Sequence, residues 1–377
     1  VTVTVNTSTL PNVEAGNDFT KTCVTNPSGA SIGMTAEAGV TYLWSPTTGL
    51  SSSISANPTA NPTSTTVYTL TATNTGNGCT ASDNVTVTVN TAVPVANAGT
   101  AFTKTCVTNP SGATIGVAPV AGVTYSWLPT TGLSSSTVSN PTANPTSTTV
   151  YALTATNTSS GCTATSNVTV TVNTTVPVAN AGTDFTKTCV TNPTGATIGD
   201  APVAGVTYSW TPTTGLSSST VSNPTANPTS TTVYALTAIN TASGCTATSN
   251  VTVTVNTAVP VANAGSAFTK TCVTNPSGAT IGVAPVAGTT YSWSPTTGLS
   301  SSTVSNPTAN PTSTTSYTVT ATNTSNGCTA TSNVTVTVNT TLPVVNTISN
   351  QTLCDGATTT AVNFSGTPAV GVVYDWT

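Results

Sequence analysis

Hydrophobic and polar residues alternate along several short stretches of the chain. In residues 167–173, Val168 and Val170 fall on one side of an extended strand, while Thr169 and Thr171 fall on the other. Because successive side chains of a strand point to opposite faces, this pattern predicts a strand with one buried and one solvent-facing side. No window repeats at the helical period, so the pattern predicts an all-β fold.

The region around this stretch divides into five predicted strands. Tyr125 and Trp127 share the inner face of one strand, and Tyr151 and Leu153 share the inner face of another. The residues between these two strands are rich in Pro, which blocks central pairing and predicts an edge strand or an extended loop. The five predicted strands are, in order, Val95–Cys106, Gly112–Gly116, Gly122–Trp127, Thr148–Asn157 and Asn167–Asn173. A hairpin turn is predicted between the fourth and fifth strands, at Asn157–Gly161.

The whole pattern repeats every 83 residues. A period of this length is too long for one turn of a solenoid and suits one small independent domain. Two aromatic series keep the period: Tyr42, Tyr125, Tyr208, Tyr291 and Tyr374, and Trp44, Trp127, Trp210, Trp293 and Trp376. Two cysteine series keep it as well: Cys23, Cys106, Cys189 and Cys272, and Cys79, Cys162, Cys245 and Cys328.

This period predicts the domain organisation. Each repeat offers about seven short strands, a central Trp and a pair of cysteines, which are the features of an immunoglobulin-like sandwich. The core of each repeat is predicted around the Tyr and Trp of the third strand. The predicted segments are the last strand of a preceding repeat at 1–9, repeats at 10–92, 93–175, 176–258 and 259–341, and the start of a divergent fifth domain at 342–377.

The two cysteines of each repeat predict a structural disulfide. They lie 56 residues apart, the chain contains neither His nor a CxxC motif, and a metal-thiolate site is therefore disfavoured. A bond within each repeat would close a long loop and would require an oxidising, extracellular compartment. The predicted pairs are Cys23 with Cys79, Cys106 with Cys162, Cys189 with Cys245 and Cys272 with Cys328, and the partner of Cys354 is expected outside the chain.

Charge is scarce, and its scarcity excludes several functions. Only 3% of residues are charged, with 4 Lys, no Arg and no His. No acid–base pair or catalytic triad can be assembled in each repeat, so the chain is not expected to be an enzyme or to bind a cofactor. The basic patch that would bind nucleic acid is missing, and no apolar run is long enough to span a membrane. No metal site is expected either, since the junctions between repeats contain no periodic acid.

One Lys recurs two residues before the first cysteine of each repeat. An isopeptide crosslink from this Lys would need an acid to move protons, and no acid keeps the period. We therefore interpret the Lys as a solvated residue of an edge strand, where a charge discourages aggregation. The four residues are Lys21, Lys104, Lys187 and Lys270.

Several motifs resemble a known family. These are NAGT-x-FTKTC, TYSW-x-PTTGLSSS, NPTANPTSTT-x-Y-x-LTATN and GCTATSNVTVTVN, followed in the last segment by ISNQTLCDGATTTAVNFSG and YDWT. Together they resemble the PKD/Ig-like repeats of Bacteroidota (flavobacterial) giant cell-surface adhesins, of the kind similar to SprB-type gliding adhesins exported by type IX secretion. The resemblance implies tandem Ig-like/PKD-like β-sandwich domains arranged as an extended rod on the cell surface.

Three functional classes fit these observations. The first is a structural stalk segment that projects a binding tip from the cell for gliding or attachment. Its partners would be the neighbouring repeats, with surface or matrix polysaccharide or protein bound by regions outside this segment. The second is a subunit of an assembled extracellular filament with lateral contacts between chains, and the third is an accessory module of a secreted enzyme. Four near-identical copies disfavour the third class, and a large lateral interface would distinguish the second from the first.

Overall fold

The computed structural model describes residues 1, 9–341, 344–345, 352, 354–358 and 366–367, and the described residues contain strands but no helix. The strands of the first repeat are β1 Phe19–Lys21, β2 Ala30–Ser31, β3 Val40–Ser45, β4 Thr59–Ala60, β5 Thr66–Asn74 and β6 Thr80–Val89. Those of the second are β7 Phe102–Lys104, β8 Ala113–Thr114, β9 Val123–Leu128, β10 Thr142–Ala143, β11 Thr149–Asn157 and β12 Thr163–Val172.

The third and fourth repeats contain the same six strands. The third has β13 Phe185–Lys187, β14 Ala196–Thr197, β15 Val206–Thr211, β16 Thr225–Ala226, β17 Thr232–Asn240 and β18 Thr246–Val255. The fourth has β19 Phe268–Thr271, β20 Ala279–Thr280, β21 Thr289–Ser294, β22 Thr308–Ala309, β23 Thr315–Asn323 and β24 Thr329–Asn339. Beyond them lies one short antiparallel pair, β25 Val344–Val345 and β26 Gly366–Thr367.

Each repeat is a sandwich of one four-stranded and one two-stranded sheet. In the first repeat the larger sheet has the order β1-β6-β5-β3, and the smaller sheet pairs β2 with β4. The three long strands alternate as the sequence predicts, with Tyr68, Leu70 and Ala72 of β5 fully buried. The fold is therefore all-β, with immunoglobulin-like sandwiches in tandem, as expected.

One pairing sets the direction of the whole repeat. Strand β1 runs parallel to β6, with Phe19 opposite Val87 and Lys21 opposite Val89. Both strands therefore finish at the same end of the repeat, which we call the exit end. The hairpin turn between β5 and β6 lies at the other end, the entry end. Cys23 follows β1 and therefore lies at the exit end, whereas Cys79 precedes β6 at the entry end.

The core of each repeat lies around the Trp of the third strand. Trp44 is buried, and its indole Nε1 donates a hydrogen bond to the Ser55 carbonyl at 2.8 Å. The equivalent Trp127, Trp210 and Trp293 are buried too, and each makes the same kind of bond. Tyr42 is also buried, whereas its counterparts Tyr125, Tyr208 and Tyr291 are half-buried against the same cores.

A glycine lets a loop pass close to this Trp. Gly116 has φ +76°, and a Cβ there would lie 2.0 Å from the Ser139 carbonyl and 3.0 Å from Trp127 Cζ2. Only glycine accepts both this backbone conformation and this approach without strain.

The first strand is shorter than predicted. The sequence predicts extended structure over Val95–Cys106, but only Phe102–Lys104 pairs as a strand. Gly99 has φ +81°, which interrupts the extended backbone before the strand begins. Upstream of it, the Ala98 carbonyl accepts from the Gly116 N–H at 2.8 Å, and the Ala98 N–H donates to the Ser166 hydroxyl of β12 at 3.2 Å. This part is therefore held by a loop and by a side chain, without the backbone pairing of a strand.

The described chain divides into two units. The first comprises Val1–Pro177 with Ile239–Ala247, and the second comprises Val178–Ala238 with Thr248–Thr377. The first unit thus holds the first two repeats and the hairpin tip of the third. Most of the predicted strand at 1–9, and Tyr374 and Trp376 of the fifth segment, lie outside the described residues.

The junction between consecutive repeats as the candidate functional site

The cysteines pair between repeats, not within them. Cys23 is bonded to Cys162, Cys106 to Cys245 and Cys189 to Cys328, in each case over a sequence separation of 139 residues. The predicted bonds within single repeats, from Cys23 to Cys79, Cys106 to Cys162, Cys189 to Cys245 and Cys272 to Cys328, are therefore wrong.

The parallel pairing of the first and last strands explains this correction. In the second repeat, Lys104 lies opposite Val172, so Cys106 lies beside the end of β12. Cys162 directly precedes β12 and lies ten residues before Val172, the last residue of that strand. At about 3.3 Å per residue the two positions are roughly 30 Å apart, and a disulfide requires Cα atoms within about 7 Å. The exit-end cysteine of one repeat meets instead the entry-end cysteine of the next.

Hydrogen bonds hold each junction beside its disulfide. The Cys23 N–H donates to the Ser160 carbonyl at 3.1 Å, and the Ser160 hydroxyl donates to the Ala92 carbonyl at 2.9 Å. Ser160 is buried, although it lies at the tip of a hairpin. The second junction repeats this arrangement with Cys106, Ser243 and Thr175.

Asparagine replaces this serine in the third junction. The Asn326 amide Nδ2 donates to Asn256 Oδ1 and to the Ala258 carbonyl, both at 3.0 Å. Its own Oδ1 accepts from the Cys328 N–H at 2.9 Å. The junction therefore tolerates either residue, provided that its side chain can donate back to the linker of the preceding repeat.

A valine and a glycine form the apolar part of each junction. Val24 packs against Gly161, where an added Cβ would lie 2.4 Å from Val24 Cγ2. Val107 meets Gly244 and Val190 meets Gly327 in the same way, at 2.6 and 2.8 Å. The glycine thus suits the junction in two ways, by its positive φ and by the space it leaves for the valine of the neighbouring repeat.

The hairpin that carries the entry-end cysteine is rigidly built. The Asn157 side chain accepts from the Ser159 and Ser160 N–H groups, and its carbonyl accepts from Gly161 N–H at 2.8 Å. The Asn157 N–H in turn donates to the Cys162 carbonyl at 2.9 Å. These bonds hold the backbone of Cys162 in the position from which its side chain bonds to Cys23. The sequence predicts this turn, but nothing in its residue pattern indicates that the turn contacts another repeat.

Three cysteines form no disulfide within the described part of the chain: Cys79, Cys272 and Cys354. Cys79 is the entry-end cysteine of the first repeat and Cys272 the exit-end cysteine of the fourth. Cys79 is half-buried, whereas its bonded counterparts Cys162, Cys245 and Cys328 are buried.

The recurring Lys forms a structural contact. Lys104 lies on the edge strand β7, but its ammonium donates to Asn144 Oδ1 and to the Pro145 carbonyl, the latter at 2.9 Å. Lys21, Lys187 and Lys270 make the same two bonds. The predicted edge position is therefore confirmed, but this half-exposed side chain also ties the edge strand to the Pro-rich loop, which the sequence did not predict.

Among the residues that the structure describes, four buried tyrosines have a pKa that departs from its usual value. Tyr151 donates its hydroxyl hydrogen bond to the Thr131 carbonyl at 2.7 Å. Burial raises the pKa of Tyr68, Tyr151, Tyr234 and Tyr317 above the usual 10.0, because the phenolate would lose its hydration. They act as neutral structural donors at physiological pH. Among the residues that the structure describes, no three His, Cys, Asp or Glu side chains group as metal ligands.

Comparison with known proteins gives no family. No family model matches the sequence, and no curated protein matches it. Titin domains I67–I69 match 64% of this chain and 97% of their own at 12% identity and a TM-score of 0.36. Extracellular cadherin domains 1–4 of protocadherin gamma B7 match 79% of this chain and 92% of their own, at 12% identity and a TM-score of 0.34. Likenesses this weak bear on neither function nor partner.

The disulfides do bear on location. Such bonds form and persist in oxidising compartments, so the chain is an extracellular protein. Over the residues that the structure covers, no helix is long and apolar enough to cross a membrane.

Proposed function

We propose that this chain is a non-enzymatic stalk segment of a long extracellular repeat protein, whose task is to carry tension without lengthening. The observation that supports the proposal is the bonding of each repeat to the next. The resemblance of the motifs to Bacteroidota surface adhesins suggests the setting, a cell-surface fibre for gliding or attachment that reaches the exterior by type IX secretion.

The staggered bonds shorten the covalent path that would bear a load. Tension entering at Cys23 crosses to Cys162, follows the backbone to Cys189 and crosses again to Cys328. That path contains 27 residue steps of backbone, from 162 to 189, where the unbonded chain from 23 to 328 has 305. At about 3.5 Å per residue, the two fully extended lengths are roughly 95 Å and 1,070 Å.

Bonds within repeats would protect less. Each would bypass 56 residues and leave 27 of every 83 to extend, whereas the staggered bonds leave 27 of every 166. A repeat that unfolds under load can therefore add little length, and its neighbours hold it in position for refolding. This is the property expected of a stalk that must keep a binding tip at a fixed distance.

Single-molecule stretching of the whole chain tests the proposal. Without reductant, we expect the region between Cys23 and Cys328 to gain no more than about 100 Å of contour length, as the short path requires. With reductant, each repeat should add roughly 300 Å when it unfolds, as 83 residues of free backbone require. Gains of that size without reductant would refute a tension-limiting role. Peptide mapping without reduction should separately recover Cys23 joined to Cys162.

A further inference from the structure

A groove runs beside the edge of the larger sheet in the second repeat and again in the fourth. In the second repeat it lies between the edge strand β9 and the loop 137–140, and in the fourth between β21 and the loop 303–306. It encloses about 520 Å³ in the former and about 550 Å³ in the latter, within the roughly 300–1,000 Å³ of ligand sites. We propose that each groove binds a short stretch of an uncharged polysaccharide.

A half-buried tyrosine supplies a flat apolar surface in each groove. The ring belongs to Tyr125 in the second repeat and to Tyr291 in the fourth. The Tyr125 hydroxyl accepts from the Val120 N–H at 2.9 Å, and the Tyr291 hydroxyl accepts from the Val286 N–H at 3.1 Å. These bonds hold the ring in place, so that binding costs little side-chain freedom. The negative face of such a ring attracts the C–H groups on the flat side of a sugar.

The loop that forms the other wall is fixed as well. The Trp127 indole Nε1 donates to the Val138 carbonyl at 2.9 Å, and the Trp127 N–H donates to the Ser136 carbonyl at 2.9 Å. Trp127 is fully buried, so these bonds anchor the loop to the core of the repeat. The Val138 side chain is 44% exposed and lines the groove together with Tyr125. The groove is therefore formed before any ligand arrives.

Uncharged donors and acceptors surround the apolar surface. Asn140 Oδ1 accepts from the Ser139 hydroxyl at 3.3 Å, whereas Asn140 Nδ2 has no partner among the described residues. Thr124 and Thr137 are exposed and add two hydroxyl groups to the lining. Every lining residue in these two repeats is uncharged. A charged ligand would therefore form no ion pair here, whereas sugar hydroxyls would meet both donors and acceptors.

The backbone of the edge strand favours a sugar over a peptide. The Trp127 N–H is directed toward the loop, and alternate residues of an edge strand direct their N–H groups to the same side. The Tyr125 N–H therefore also faces the loop, where no carbonyl of the described residues accepts from it. An added peptide strand needs a run of such open groups. The next N–H groups on this side, those of Val123 and Trp127, are already bonded, so the single open donor suits a sugar hydroxyl.

The repeats differ in the residues that the groove requires. The third repeat has the same residue types as the second at all eight lining positions. A linear polysaccharide presents the same unit many times, so equivalent grooves on one chain increase its avidity. In the first repeat, Ala36 and Ser55 replace Pro119 and Val138, and Tyr42 is buried. The first repeat therefore provides an internal control. This binding goes beyond the proposed stalk function and does not depend on it.

Affinity electrophoresis of the oxidised full chain tests the proposal. Native gels are cast with dextran, laminarin, mannan, galactan or xylan as neutral probes, with alginate as an anionic probe, and without polysaccharide. We expect at least one neutral polysaccharide to retard the chain and alginate to leave its mobility unchanged. Isothermal titration with the retarding polysaccharide then gives the dissociation constant.

A triple variant places a negative charge in the groove of three repeats. It combines Val138→Glu, Val221→Glu and Val304→Glu, three side chains that are each 44% exposed. Because a carboxylate would have to lose water when a sugar covers it, we expect binding to be at least tenfold weaker. Ser55→Glu makes the equivalent change in the first repeat and should leave binding unchanged.

The matched control places the same charges on the outer face of the sheet. It combines Val150→Glu, Val233→Glu and Ser316→Glu, which are exposed and occupy equivalent positions. Val150 lies five residues from Ala155, the partner of Tyr125, which is roughly 17 Å along the strand. We expect this control to bind like the unchanged chain and to melt at the same temperature as the groove variant.

Four outcomes would overturn the proposal. They are no retardation by any neutral polysaccharide, retardation by alginate alone, unchanged binding in the groove variant, and equal weakening in the groove variant and its control. Retardation of the chain by reduced casein that the groove variant abolishes would instead assign the groove to peptides, and would overturn it too. None of these results alters what stretching of the chain would measure, so the stalk function is tested separately.

Discussion

At the residue scale, the junction depends on one glycine whose neighbour belongs to another repeat. Gly161 and Gly78 occupy equivalent positions and have nearly equal φ values, but only Gly161 is packed against a valine. This pair allows the cost of the backbone conformation to be separated from the cost of the contact.

We predict that Gly161→Ala destabilises the first two repeats by about 0.5–1.5 kcal/mol more than Gly78→Ala does. Both variants force alanine into a left-handed conformation, which costs roughly 1–2 kcal/mol. Only the first adds the overlap with Val24, whose 70% exposed side chain must leave its rotamer at a cost of about 0.5–1.5 kcal/mol. Denaturant unfolding of the oxidised chains measures the difference, and equal losses would show that the valine contact is not tight.

At the element scale, the long strands could be predicted from the sequence because their residues alternate. The predicted Thr148–Asn157 differs from the observed Thr149–Asn157 by one residue, and Tyr151 and Leu153 are buried as expected. The first strand could not be bounded, because Gly99 gives no alternation signal while its positive φ ends the extended structure.

The cysteine pairing depends on information that the pattern does not contain. The sequence places Cys106 at the end of the predicted first strand and Cys162 before the last one, and the structure has Cys106 two residues beyond β7 and Cys162 directly before β12. Whether those strands run parallel or antiparallel decides which end of the repeat each cysteine occupies. An antiparallel pair would have brought both cysteines of one repeat together, and the parallel register separates them. Connectivity in general cannot be deduced from cysteine spacing alone.

Strand β7 has few partners of its own, so we predict that its Lys side chain stabilises it. Replacing Lys104 by Met removes the bonds to Asn144 and Pro145, at a cost of about 1 kcal/mol. Amide exchange of residues 102–104 should then accelerate about fivefold, since 1.4 kcal/mol corresponds to a tenfold change.

The control for this prediction is Asn144→Ala, alone and with Lys104→Met. If the two side chains act through one contact, the double variant should exchange little faster than the Lys104 variant. Additive effects, or exchange unchanged in all three, would show that the contact does not hold the strand.

At the scale of the whole molecule, each repeat depends on its neighbours for stability. A bond that closes 139 residues stabilises by about 5 kcal/mol in the chain-entropy description. That is comparable with the total stability of a small domain. A repeat removed from the series loses both the bond and the hydrogen bonds of its junctions.

We therefore predict different effects on stability when the entry-end cysteine is replaced by serine in the first repeat and in the second. Cys162→Ser breaks the bond to Cys23 and should lower the free energy of unfolding of the first two repeats by several kcal/mol. Cys79→Ser removes a cysteine that forms no disulfide with any residue the structure describes, and it should leave this free energy unchanged within about 0.5 kcal/mol. Both are measured by denaturant unfolding without reductant, and with reductant the two chains should behave alike. A large effect of Cys79→Ser would instead support a bond within the first repeat.

The overlap of the three bonds has a consequence for damage. The closed loops run from 23 to 162, from 106 to 245 and from 189 to 328, so each begins before the previous one ends. Every peptide bond between Cys23 and Cys328 is enclosed by at least one of them. A protease that cuts the backbone once anywhere in this region therefore leaves the two pieces joined by a disulfide, whereas the same cut would separate a chain without these bonds.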